Sequence, residues 1–423
     1  MIASEQNNRH DTPPQGDAIE RIALISVHGC PTAQLGSKDT GGMNVYIRKV
    51  AQELSNRGIY VDIFTRYHDP ADTQIEQVAE NARVIHISAG DFFDDKTTIP
   101  YHLPEFVCRL LEYSRQNNLS YDLIHSHYWL SGRVGNILAR HWDIPHVASF
   151  HTLSQIKRQA RVGEIEPVER TAGEAKVIQS ADSIVVFSQH EKDALIHLYD
   201  AHDDKIEIIP CGVDVDLFQP LDQEISRRKL GIQDSKVVLY VGRLEPLKGV
   251  DILLKAVAQL EHGELVKTLI VGGELEEDSE MGRLKSLSRD LGISEQVSFL
   301  GRLDQRELPT YYSAADICVV PSYYESFGFV ALESMSCGTP VIASRVGGLP
   351  TIVKDSLNGY LIPWHCPEPF ADRLEVLLGS QSIRDAMGKA SRKTAISMRW
   401  PLVVDNLIDS YNALLATSQA PII

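Results

Sequence analysis

Lys236-Val-Val-Leu-Tyr-Val-Gly-Arg-Leu-Glu-Pro-Leu-Lys-Gly249 is the stretch that decides the architecture. After Lys236 its next five residues are apolar, three of them β-branched valines, the length of a strand, and near-continuous hydrophobicity marks a strand covered on both faces. Gly242 to Gly249 then reads as a loop with a glycine at each end. From about 249 to 260 the apolar period becomes helical. Strand, loop and helix in that order are the first parts of a βαβ unit, and such units build parallel sheets.

The same rhythm extends in both directions. Downstream, apolar runs at 268–271, 297–300, 317–320 and 340–343 alternate with helical patterns at about 281 to 291, 306 to 314 and 327 to 336. Upstream, strands are predicted at 21–27, 60–65, 83–87, 123–125, 146–150, 183–187 and 206–209. Helices are predicted there at about 42 to 57, 103 to 117, 132 to 141, 168 to 180 and 190 to 199. Pro210-Cys-Gly212 interrupts the series with a turn, the best boundary between two doubly wound halves. The expected organisation is a polar, disordered tail over 1–19, a Rossmann-like domain over 20–211, a second over 212–395 and a terminal helical segment over 396–423.

At 423 residues the chain exceeds what one core usually supports, in keeping with two domains. Its 57 acidic against 41 basic side chains give a formal charge of −16, which excludes nucleic acid or an anionic membrane as a partner of the surface at large. Any anionic ligand must then be held by local positive charge. The six cysteines show no C-x-x-C spacing and several lie in apolar strings, so the expectation is a reduced, cytoplasmic protein with neither disulfide framework nor zinc motif. No apolar run approaches a membrane span.

Ligands of open α/β sheets bind at the carboxyl ends of the strands. The loop after the first strand, His28 to Asn44, lacks the G-x-G-x-x-G fingerprint but ends in Gly41-Gly42 at a helix start, where bare N–H groups suit a phosphate. Alone, the pair reads equally as an ordinary turn. In the loop opened above, Arg243 and Lys248 can reach one point from either end, a bidentate cation plus a point charge for a diphosphate. A solvated turn pairing Arg243 with Glu245 accounts for it as well. After 317–320 comes Pro321-Ser-Tyr-Tyr-Glu-Ser-Phe-Gly-Phe-Val-Ala-Leu-Glu333. Glu325 is placed just before a helix starting near Ser326, and Glu333 two turns inside it. A carboxylate among apolar residues needs hydrogen-bond donors, which sugar hydroxyls supply, although a buried salt bridge would serve too.

Taken together, Gly41-Gly42, R-L-x-x-x-K-G with Arg243 and Lys248, and the E-x₇-E spacing of Glu325 and Glu333 resemble the retaining family 4 glycosyltransferases of GT-B fold, over about residues 20 to 420. The resemblance implies two Rossmann-like domains facing a cleft, with a nucleotide-sugar donor on the second. By it, Arg243 and Lys248 neutralise the leaving diphosphate and Glu333 holds the ribose hydroxyls. Glu325 and the backbone of Phe327, Gly328, Phe329 and Val330 contact the donor hexose, and Gly41 and Gly42 approach the β-phosphate from the first domain. His151 matches the family's histidine near the reacting sugar. Catalytic weight thus falls on His151, Arg243, Lys248 and Glu325. No metal and no cofactor are expected, because preorganised cations and amide dipoles can stabilise the departing diphosphate. The D-x-D string Asp214-Val-Asp216 is expected to open a helix rather than to bind a cation.

The first half narrows the acceptor. Ala89-Gly-Asp-Phe-Phe-Asp-Asp-Lys96, His125-Ser-His-Tyr-Trp-Leu-Ser-Gly132 and Phe150-His-Thr-Leu-Ser-Gln-Ile-Lys157 are similar to two subgroups, the inositol-phosphate N-acetylglucosaminyltransferases and the bacterial sucrose-phosphate synthases. Both move a sugar from a UDP donor to a small phosphorylated acceptor, fructose 6-phosphate in the latter. The resemblance implies Lys96, Tyr128, Thr152, Lys157 and Arg170 as acceptor-phosphate ligands. Lys157-Arg-Gln-Ala-Arg161 puts three cations in five residues, though pairing with Glu164, Glu166 and Glu169 on a solvated helix face is an open alternative. The terminal helix from Trp400 carries Asp405 and Asp409 on its polar face, unlike a membrane anchor, and the resemblance has it cross back onto the first domain. Competing readings are a membrane-associated transferase for lipid or polysaccharide acceptors and a non-catalytic sugar-nucleotide binder. A monomer or homodimer is expected.

Overall fold

The computed structural model describes residues 19–33, 41–92, 94, 97–160, 166–232, 235–273, 280–363 and 365–418. Lys96 and Arg161, named above for anion binding, lie outside the described residues. The first sheet contains β1 (Arg21–Ile25), β2 (Tyr60–Arg66), β3 (Ile75–Ala79), β4 (Ala82–Ile87), β5 (Leu123–His127), β6 (His146–Ser149), β7 (Ser183–Val186) and β8 (Ile206–Ile208). Their order is β3-β4-β2-β1-β5-β6-β7-β8, parallel except for the β3/β4 pair. The second contains β9 (Lys236–Val241), β10 (Val266–Val271), β11 (Val297–Gly301), β12 (Ile317–Val320), β13 (Val341–Ser344) and β14 (Gly359–Ile362), in the order β11-β10-β9-β12-β13-β14. All its pairs are parallel.

The alternation of side chains along each strand divides the core. Ala23 and Ile25 of β1 join Phe106, Leu130 and Val177 from helices on one face, while Ile22 and Leu24 join Tyr46, Val50 and Leu407 on the other. In β9, Val238 and Tyr240 face one layer and Val237 and Leu239 the other. Each sheet therefore needs helices on both sides, the doubly wound arrangement.

Each sheet reverses its winding once, between β1 and β5 and between β9 and β12. Loops leaving neighbouring strands diverge there and leave a crevice. Gly41-Gly42 lies beyond β1 and Tyr128 follows β5. The Arg243–Lys248 loop follows β9 and Glu325 follows β12.

The terminal helix Trp400–Ser418 packs against the helix Gly42–Ser55 of the first domain. Arg57 anchors it at Asp405 (2.6 Å) and at the Pro401 carbonyl (2.8 Å), and the Tyr411 hydroxyl lies 2.6 Å from His125 Nδ1. Among the described residues no helix is long and apolar enough to cross a membrane.

Three local expectations change. The helix after β12 starts at Phe329 and not near Ser326, because Gly328 adopts φ 105° and caps it. Glu333 consequently stands about one turn inside the helix. Asp214-Val-Asp216 forms a turn instead of opening a helix, its Asp214 carboxylate accepting the Asp216 and Leu217 N–H groups and pairing with Lys49 at 2.7 Å.

Candidate active site

Two loops of the second domain are locked together by backbone. Tyr323 N donates to the Leu247 carbonyl at 2.8 Å, and Gly249, at φ 65°, lies so close to the Pro321 carbonyl that a Cβ would come within 2.1 Å of it. Lys248 consequently meets Glu325 at 2.7 Å, both side chains four-fifths buried. Behind Glu325 sits a feature the sequence reading missed. Gly347, at φ 51°, is pressed on the Glu325 carbonyl with room for no Cβ, and Gly348 N donates to that same carbonyl at 3.0 Å. Gly347-Gly348 follows β13, so the carboxyl-end rule could have found it. Arg243 turns outward to Glu245 at 2.7 Å and is about half exposed, as the solvated-turn alternative has it.

Glu333 is buried and opens on the cleft between the domains, which Val45, Lys49, Gln305, Phe329 and Trp400 also line. Burial pushes its carboxyl up to about 7, opposed by hydrogen bonds from the Tyr312 hydroxyl (2.9 Å) and the Gln305 amide (3.3 Å). No lysine or arginine pairs with Glu333 among the described residues, so the buried salt bridge considered for it is absent. Across the cleft, Gly42 leaves room for the Phe329 ring, which would stand 2.8 Å from a Cβ there, and Phe329 stacks on Trp400.

The first domain contributes a second cluster. Arg170 is 4% exposed. Its guanidinium donates to Glu174 (2.8 Å), Glu166 (2.7 Å), the Thr152 carbonyl (2.8 Å) and the Thr152 hydroxyl (2.9 Å), and it lies 4.9 Å over the Tyr128 ring. Burial alone would lower its pKa, but Tyr128, Glu174 and Glu166 raise it above the ordinary value. Lys157, on the helix Ser154–Ala160, pairs with Glu166 as well. Four of the five acceptor residues named from sequence thus form one assembly, in which Arg170 touches Tyr128 and Thr152 and Glu166 joins Arg170 to Lys157. In the sequence Glu166 reads only as a possible surface partner of these cations.

Backbone strain concentrates beside this cluster. Tyr128 (φ 76°, ψ 156°) and His151 (φ 60°) hold positive φ without being glycine, at the carboxyl ends of β5 and β6. His151 bridges the domains: its carbonyl accepts from the Ser326 hydroxyl, and its Nε2 lies 3.1 Å from His127 Nδ1. Burial pushes His151 down to about 3, so the imidazole is neutral near pH 7. It can orient a hydroxyl, but it supplies no positive charge.

Two doubly wound domains with their switch-point loops converging on one cleft, closed by a helix returning to the first domain, define a glycosyltransferase of GT-B fold. The chain belongs to family 4 of these enzymes: residues 40–217 match the family model "Glycosyltransferase Family 4" and residues 222–394 match "Glycosyl transferases group 1". It is 41% identical over 406 residues to a D-inositol 3-phosphate glycosyltransferase of Corynebacterium glutamicum, covering 94% of this chain and 97% of that one. A protein of the same name from Mycobacteroides abscessus is 40% identical over 409 residues, covering 95% and 91%. A solved sucrose-phosphate synthase from Thermosynechococcus elongatus superposes with TM-score 0.87 at 34% identity, covering 94% of this chain and 100% of that structure.

Proposed function

We propose that the enzyme is a retaining, metal-independent transferase that moves a hexosyl group from a UDP-sugar, UDP-N-acetylglucosamine or UDP-glucose, to an inositol phosphate. One observation carries the reading. A continuous path of contacts runs from Arg170 through Thr152 to His151, and from the His151 carbonyl to Ser326, the residue after Glu325. An anion-binding cluster on one domain thereby abuts the Lys248–Glu325 pair on the other, as transfer between two anionic substrates requires. The names of the relatives favour inositol 3-phosphate. The sucrose-phosphate synthase likeness supports fructose 6-phosphate as the second reading.

In this reading the acceptor phosphate takes the position Glu166 holds between Lys157 and Arg170, and Thr152 and Tyr128 complete its site. The donor diphosphate lies between Lys248, Arg243 and the Gly41-Gly42 turn. The bond from the anomeric carbon to the β-phosphate oxygen breaks as the acceptor hydroxyl attacks on the same face, and its proton passes to the departing phosphate. Lys248 and Arg243 stabilise the charge that develops there. The enzyme acts in the cytoplasm as a monomer or homodimer.

UDP release measured over a matrix of donors and acceptors, with EDTA present, tests the assignment. Turnover should be largest with inositol 3-phosphate, be undiminished by the chelator, and give a product of retained anomeric configuration. Preference for a non-phosphorylated acceptor, or a requirement for added manganese or magnesium, would contradict it.

Glu333 yields a pH prediction. A carboxyl near pKa 7 is largely protonated at lower pH, yet it must be ionised to accept hydrogen bonds from two ribose hydroxyls. The donor KM should therefore fall as pH rises from about 6 to about 8, by at most about tenfold per unit, and then level off. Glu333→Gln should raise the KM and flatten this profile. A profile unchanged by the substitution would remove Glu333 from the donor site.

A further inference from the structure

The first domain holds a cluster that the transfer chemistry does not use. Cys30 comes from the loop after β1, His86 from β4, and His68 and Asp72 from the connection between β2 and β3. The ligand atoms of Cys30, His68 and His86 all lie within 4.8 Å of one another. Cys30 Sγ is 3.4 Å from His86 Nε2, while Asp72 Oδ2 is 2.8 Å from His68 Nδ1 and 3.9 Å from His86 Nε2. Cys30 and His86 are 4% and 1% exposed.

We propose that these four side chains form a zinc site. His86 Nδ1 lies 2.7 Å from the Thr73 carbonyl, which can only accept, so the proton is on Nδ1 and the Nε2 lone pair faces the cluster. A ring nitrogen donating to a backbone carbonyl while its partner faces the ion is the usual orientation of a metal-ligating histidine. His68 Nδ1 is a buried atom close to Asp72 but without hydrogen-bond geometry, which leaves it available to an ion. Thiolate, carboxylate and two neutral imidazoles around a divalent cation sum to zero charge, the condition for burying an ion. The Cys30 proton leaves to solvent as the ion enters. Tetrahedral zinc places its ligand atoms about 3.3 to 3.8 Å apart, so closing the cluster takes shifts of about 1 Å.

No short-range zinc motif marks these ligands in the sequence, because Cys30 and His86 stand 56 residues apart along the chain. Here three strands' carboxyl ends bring them together. The Asn44 amide donates to the Cys30 carbonyl at 2.6 Å, and Asn44 stands at the start of the Gly42–Ser55 helix. The ion is thereby linked through Asn44 to the start of the Gly42–Ser55 helix and takes no part in group transfer.

Metal content tests this without reference to turnover. The untagged full chain, expressed with added zinc and dialysed against zinc-free buffer, should retain about one zinc per chain. Cys30→Ser, His68→Ala and His86→Gln should each retain less than about a tenth of that under the same buffer. Cobalt(II) in place of zinc should give a thiolate-to-metal charge-transfer band that Cys30→Ser lacks. Circular dichroism identifies any variant that fails to fold, and the wild-type cobalt spectrum does not depend on the variants. Wild-type protein without bound zinc, or a cobalt complex lacking the thiolate band, would overturn the site.

Discussion

Lys248→Ala is expected to lower kcat by about two to three orders of magnitude, the usual cost of removing one preorganised group that stabilises developing charge. Lys248 is held by the Gly249 turn against Pro321 and by the Tyr323–Leu247 hydrogen bond, so its ammonium needs no reorganisation when the diphosphate departs. In the resting enzyme it pairs with Glu325 at 2.7 Å, a partner that can turn to the donor hexose once the diphosphate occupies the ammonium. Arg243 alone does not replace it, being half exposed and paired with Glu245 in the resting enzyme. Because the 248–325 pair lies at the cleft and not within a sheet, the variant should keep a thermal midpoint close to wild type. UDP release and a melting curve on the same preparation decide the matter: activity within tenfold of wild type would remove Lys248 from the leaving-group site. Lys248→Arg should recover part of the rate, since the charge returns on a differently shaped head.

How far the sequence carries toward this picture depends on what a residue's role rests on. Strands such as β1, β9 and β12 announce themselves because burial on both faces forces continuous apolar runs. β3 does not, because it is an exposed antiparallel edge strand, Ile75 to Ala79, with only one neighbour to satisfy. β14, Gly359 to Ile362, is four residues long, too short for its apolar run to stand out from the flanking turns. Lys248 and Glu325 are legible as charges beside strand ends, whereas Arg170, inside the helix Val168–Ser180, is reached only through the family resemblance. Their supports are less so: Ser326, Tyr312 and Gln305 act through single hydrogen bonds that no spacing encodes. The zinc ligands are the extreme case, four residues between positions 30 and 86 whose meeting depends on strand order.

Arg170→Ala is expected to produce two separable effects. The first is on stability. Glu174, fully buried, would keep the Ser154 and Tyr199 hydrogen bonds but lose its compensating charge. Removing one partner of such a pair costs about 3 to 5 kcal/mol. The second is on the acceptor. A charge-assisted hydrogen bond to a phosphate contributes about 1.5 to 3 kcal/mol, so the acceptor KM should rise about ten- to a hundredfold in whatever fraction folds. The donor KM should not change, because the hydrogen bonds of Arg170 go to Glu166, Glu174 and Thr152 and to none of the donor groups. Two comparisons separate the effects. Lys157→Ala, at the rim of the same cluster, should raise the acceptor KM with little loss of stability, since its ammonium is partly exposed. With free inositol as a poor acceptor, wild type and folded Arg170→Ala should react at the same rate, because no phosphate is present for the arginine to hold. If destabilisation appears while the KM for the phosphorylated acceptor stays at its wild-type value, Arg170 is a structural counter-ion to Glu174, and the acceptor phosphate binds elsewhere.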